Sequence, residues 1–159
     1  MDKSELEDRT KRFAVEVIRF VGEFNSLNIG RVISNQLLKA GTSIGANYRE
    51  ANRAVSRRDF TYKISIAEKE ASETMYWLEI CLETGLGARQ TCEELLAESG
   101  ELLAIFTSVG RSMRSGERSL EEKTRAKVST TAEPGYARDH FDMDINKLIP
   151  TGLMADHGY

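Results

Sequence analysis

Proline is nearly missing. Only Pro134 and Pro150 occur among 159 residues, and both lie in the last 26. Everything before them is free of the strongest helix breaker. Histidine is equally scarce. His140 and His157 share that terminal stretch, outside the expected core, so a rigidly held histidine base is not expected. The two cysteines, Cys81 and Cys92, are too few for a disulfide framework. They flank one expected turn and read as reduced thiols filling apolar space, with a redox pair as the alternative. No apolar run approaches the roughly 18 residues that a membrane span needs. The opening Met1–Asp8 is polar and acidic, unlike a secretory signal, so a cytoplasmic location is expected.

What is present is ordinary in amount and informative in order. Charged residues make up 30% and apolar ones 40%, enough for one domain with a core. Ser4 and Glu7 have capping-box spacing, and Leu6, Phe13, Val17, Phe20, Val21 and Phe24 follow as one helical stripe. A first helix is expected over Leu6–Phe24, broken by 25–28. A second is expected over Ile29–Arg53, with Leu37, Ala40, Gly41, Ile44, Tyr48 and Ala51 on its buried side. Gly41 and Gly45 sit four apart there. Each glycine costs about 1 kcal/mol relative to alanine inside a helix, which points to a neighbouring helix packed unusually close. Ser56 and Asp59 open a third helix to Thr84, with Phe60, Ile64, Ala67, Ala71, Met75, Leu78 and Leu82 on one face and Gly85 as its cap. Thr91 and Glu94 suggest a further cap. The stripe Leu95, Leu96, Leu102, Leu103, Phe106, Val109, Met113 then gives a fourth helix fading near Arg114–Gly116. The expected fold is all-α, an antiparallel up-down-up-down four-helix bundle over residues 1–116. A flexible or loosely docked C-terminal tail would occupy 117–159, in which Ser119–Lys127 could form a helical turn or two.

Charge is segregated along the chain. Arg31–Lys69 holds eight Lys/Arg against three Asp/Glu, and Glu70–Glu101 holds one Arg against eight Glu. With a net charge of −3, the chain as a whole gives no support to nucleic-acid binding. The cluster Arg49, Arg53, Arg57, Arg58 and Lys63 is the one basic patch. It reads either as a surface for RNA, DNA or another polyanion, or as a solvated bundle end or subunit contact.

The search for chemistry otherwise ends on nothing. Gly41-Thr-Ser-Ile-Gly45 lacks the Gly-Lys-Ser/Thr ending of a phosphate loop. His140, Asp142 and Asp144 match no zinc or calcium spacing. Glu68, Glu70 and Glu73 lie on or beside a second stripe of the third helix with Ile66, Trp77 and Ile80. A di-iron carboxylate site would also need Glu-x-x-His. Ion pairing of these carboxylates with Arg49 or Arg53, within or between subunits, is expected instead, with a solvated face as the alternative. No catalytic residue, metal or cofactor is expected.

The block Gln36–Ala51, then Asp59-Phe60 with Lys63–Ala71, then Glu73–Leu78 resembles a family of small bacterial four-helix-bundle proteins. They were first noticed as reading frames in intervening sequences of 23S ribosomal RNA genes. The resemblance spans about Phe13–Thr107. It implies a homo-oligomer, a pentameric ring being the suggested form, of largely uncharacterised function. Distantly similar accessory proteins of diversity-generating retroelements bind nucleic acid and a reverse transcriptase, but those are strongly basic. Gly41, Asn47, Tyr48, Arg49, Glu50, Glu70, Tyr76 and Trp77 are the family positions present here. They read as packing and assembly positions, with Glu50, Glu68, Glu70, Glu73, Tyr76 and Trp77 as candidates for ion pairing or subunit contact.

Overall fold

A computed structural model describes the backbone of residues 1–24 and 28–128, and the side chains of 1–24 and 30–116. Four helices follow in order: α1 Lys3–Gly22, α2 Asn28–Ala51, α3 Arg57–Thr84 and α4 Arg89–Val128. Among the described residues there is no strand. Helices α1 and α3 each pack on both α2 and α4, so the four stand around one core with α1 and α3 on opposite corners.

The antiparallel sense is visible in the contacts. Gly45 faces Thr10 while Gly41 faces Val17, so residue numbers rise on α1 as they fall on α2. Between α3 and α4, Arg57 Nη2 donates to the Met113 carbonyl at 2.9 Å. Glu68 Oε1 accepts from Thr107 at 2.8 Å, Ser99 donates to the Ala71 carbonyl at 3.1 Å and Cys92 Sγ donates to the Leu78 carbonyl at 3.3 Å. These partners too run in opposite directions.

The core follows most of the expected stripes, but Phe24, Leu96 and Leu103 are only half-buried while Ile33 and Ile105, outside those stripes, are buried. Leu6, Phe13, Val17, Phe20, Leu37, Ile44, Tyr48, Phe60, Ile64, Leu78, Leu102, Phe106, Val109 and Met113 are all buried. On α3 the buried line includes Thr74 and Cys81, while Met75 and Leu82 are half-buried. That face therefore turns slightly from the expected one. Gly41 and Gly45 lie at the α1–α2 contact, where the missing side chains let the backbones approach.

The helix ends show where local pattern suffices. Ser56 caps α3, its hydroxyl accepting from Asp59 N at 3.1 Å. Gly85 ends that helix in the left-handed region, at φ 67°. At α1 the cap is Asp2, not Ser4: Asp2 accepts from Glu5 N at 2.8 Å and Glu5 accepts from Asp2 N at 2.6 Å. The reciprocal box thus forms two residues earlier, where an ionised carboxylate also meets the positive helix end. Helix α4 starts at Arg89, so Thr91 lies inside it and not at a cap. Nor does α4 stop near Gly116, since it continues to Val128. The tail beyond 128 lies outside the described residues.

The two thiols are buried on facing helices. Burial pushes Cys81 up to about 12 and Cys92 up to about 11. Folding thus favours the neutral thiols. Stability should hold up to about pH 8.5 and fall above it, as the unfolded chain ionises its thiols first, until pH passes the native values near 11–12. The expected loss at pH 10 is about 2 kcal/mol for each thiol, about 4 kcal/mol for the two. Urea titrations from pH 7 to pH 10.5, repeated on a Cys81→Ala/Cys92→Ala chain, check it. The alkaline loss should shrink in the double variant. Native chains should also resist a disulfide-exchange reagent at pH 7.5 that labels both cysteines in denaturant.

Candidate functional site

The end of the bundle where α2 passes into α3 carries the basic cluster, but its cations do not converge. Arg49 Nε lies 3.5 Å from Glu7 Oε2 on α1. Lys63 on α3 is paired with Glu50 on α2. This contact raises the lysine's pKa further above its ordinary value. Arg53, in the turn just after α2, reaches back with Nη1 to the Arg49 carbonyl at 3.4 Å. Arg57 crosses to α4, where Nη2 bonds the Met113 carbonyl and Nε is buried with no hydrogen-bond partner among the described residues. Its guanidinium lies against Gly116, a glycine whose sequence context suggests a helix end. Glycine at 116 instead leaves room for the arginine while the helix runs on. Arg58 is exposed and makes no ion pair among the described residues. An assembled patch for a polyanion would hold these charges free and adjacent, whereas three of the five are engaged with other helices.

Sequence spacing gives Glu7 only a capping role, and the structure gives it another. Its carboxylate accepts from Asn52 Nδ2 at 2.8 Å while also facing Arg49, so it locks the start of α1 onto the end of α2. Beside it Tyr48 is wholly buried, and among the described residues neither its hydroxyl nor Asn52 Oδ1 makes a hydrogen bond of ordinary geometry. Burial pushes the Tyr48 phenol up to about 12, opposed by Asn52. The α1–α4 seam has a stronger tie. Arg9 grips Glu98 with both Nε (2.6 Å) and Nη2 (2.7 Å), and Nη2 also bonds Glu101. This fork geometry is among the stronger polar contacts available to a protein.

The acidic residues of α3 separate by environment. Glu68 bonds Thr107. Glu70 is nine-tenths buried, with Oε2 unpartnered among the described residues and Lys69 Nζ 3.8 Å from Oε1. Glu73 makes no ion pair among the described residues. The expected pairing of Glu68, Glu70 or Glu73 with Arg49 or Arg53 is absent within the chain, because Arg49 turns to α1 and Arg53 folds back on α2. Among the described residues no three His, Cys, Asp or Glu side chains gather as a metal set. No described helix is long and apolar enough to cross a membrane.

The outward side of α3 is more distinctive. Tyr62 and Tyr76 are 61% and 54% exposed. Ile66, Trp77 and Ile80 are half-buried along the same side. Tyr76 and Trp77 meet edge to face with ring centroids 5.0 Å apart, and the Trp77 Nε1–H has no partner among the described residues.

Fold and surface together define a four-helix-bundle protein with exposed aromatic side chains on the outer side of α3. The chain belongs to the 23S rRNA-intervening sequence protein family, whose model matches residues 2–108. That match takes in α1, α2, α3 and the first half of α4. Its fold is similar to that of a crystallised protein of unknown function from the S23 ribosomal protein family of Bacteroides thetaiotaomicron. The two are 39% identical, with a TM-score of 0.61 over 65% of this chain and 96% of that one. No curated protein matches the chain.

Proposed function

We propose that the protein is a non-enzymatic homo-oligomeric scaffold, a bundle that presents partner surfaces in several copies. The observation that carries this reading is the exposed aromatic side of α3, centred on Tyr76 and Trp77. Exposed aromatics on a well-packed bundle mark contact surfaces more often than chemistry. The basic and acidic stretches of the chain support it, since copies can pair unlike faces. An assembly of about five chains is the size that the family resemblance implies.

Multi-angle light scattering of the full chain at micromolar concentration tests it. The expected mass is several times the 17.8 kDa of one chain, and a monomer would end the reading. The alternative, an accessory protein holding RNA or DNA at the α2–α3 end, rests on Arg53 and Arg58 once the other cations are engaged. Repeating a several-fold weak patch around an oligomer would give it avidity. Reversing both arginines should then abolish low-salt binding.

A further inference from the structure

We propose that the outward face of α1 in one protomer docks on the outward face of α3 in the next, so that a second copy of this chain is the partner of both. The proposal rests on the homo-oligomer reading and names its surfaces. The α1 face carries Val15 and Ile18, 37% and 51% exposed. Lys11 and Arg12 lie one turn before them, exposed and in no ion pair among the described residues. Arg19 follows, held by Glu16 at 2.6 Å; Asp8 and Glu16 border the strip. The lower α3 face carries Tyr76 and Ile80 between Glu73 on one side and Glu79 and Glu83 on the other. None of those three carboxylates makes an ion pair among the described residues. Apolar residues flanked by unspent cations thus match apolar residues flanked by unspent carboxylates. Buried against each other, the apolar centres would supply affinity and the charges register. The Tyr76–Trp77 pair is a preset anchor, since two packed rings lose little freedom on binding.

The two faces lie on opposite corners of one bundle, so the contact is heterologous. Each copy offers one of each face, and assembly does not stop at two. This differs from an α3–α3 contact about a two-fold axis, which would be self-contained.

Two full-length variants test it, Val15→Glu/Ile18→Glu on α1 and Tyr76→Lys/Ile80→Lys on α3. Circular dichroism of each should retain the helical spectrum of the parent. By light scattering each alone should fall to the mass of one chain. Mixed together, the intact α3 face of the first should meet the intact α1 face of the second, giving a one-to-one heterodimer and nothing larger. A parent oligomer that either variant leaves at full mass overturns the face assignment while the homo-oligomer reading stands. The face assignment also fails if both variants are monomers and the mixture stays monomeric. A monomeric parent overturns both.

Discussion

Gly87→Ala should remove about 2–5 kcal/mol of stability, the sum of a backbone and a packing penalty. Gly87 sits in the α3–α4 turn at φ 77°, a conformation that costs a residue with a Cβ about 1–2 kcal/mol. A Cβ there would also fall 2.7 Å from Phe20 Cζ and 2.9 Å from Phe24 Cε1. The Phe20 ring has nowhere to retreat. Phe20 is wholly buried, and the two pack edge to face with centroids 5.0 Å apart. Overpacking of this kind typically adds about 1–3 kcal/mol. Gly85 supplies the control. It has a similar φ, 67°, but open space around it, so Gly85→Ala should cost only about 1 kcal/mol. Urea unfolding of the two variants separates conformation from contact. Equal losses would mean that the Phe20–Phe24 wall plays no part. For a domain held by roughly 5–15 kcal/mol, the larger loss is a considerable fraction of the total.

The same turn shows what a sequence can and cannot tell. Gly85 as a helix cap is legible, because a glycine after a periodic stripe has one common use. Ser56 as the α3 cap is legible for a similar reason. The stripes of α1, α2 and α4 predict most of the core because burial repeats with the helical period, though they place half-buried Leu96 and Leu103 inside and leave out buried Ile105. Failures begin where two local solutions compete or where a distant helix decides. Asp2/Glu5 and Ser4/Glu7 both fit a capping box, and the choice frees Glu7 to reach Asn52 and Arg49 on α2. No spacing rule couples residues 45 positions apart. Gly116 looks like a stop signal, yet it accommodates Arg57 from a helix that begins 59 positions earlier. The basic cluster is a true neighbourhood in sequence and only partly one in charge. Local counting sees five cations but not the carboxylates and carbonyl that three of them meet across helix boundaries.

The glycine pair of α2 offers the sharpest test of how the bundle is held, because two known effects oppose each other there. Alanine in place of helical glycine should gain about 1 kcal/mol from backbone entropy. At Gly41, however, the new Cβ would lie 3.0 Å and 3.1 Å from the two Val17 methyls. Val17 is wholly buried. A β-branched side chain in a helix has one strongly preferred rotamer, so it cannot swing aside. A penalty of about 1–3 kcal/mol is then expected, leaving Gly41→Ala a net destabilisation of about 1 kcal/mol. Gly41→Leu, with three more carbons in the seam, should lose about 3 kcal/mol. Val17→Ala alone should cost about 2 kcal/mol through the lost burial and the void. In that background the clash is gone and only the helix-propensity gain remains. Gly41→Ala should there stabilise by up to about 1 kcal/mol, reversing its sign. The double-mutant cycle would therefore show a coupling of about 2 kcal/mol between residues 24 positions apart. If Gly41→Ala destabilises equally in both backgrounds, close approach to Val17 is not why glycine stands at 41. A sign change would establish that the glycine is kept for the α1–α2 contact against the preference of its own helix.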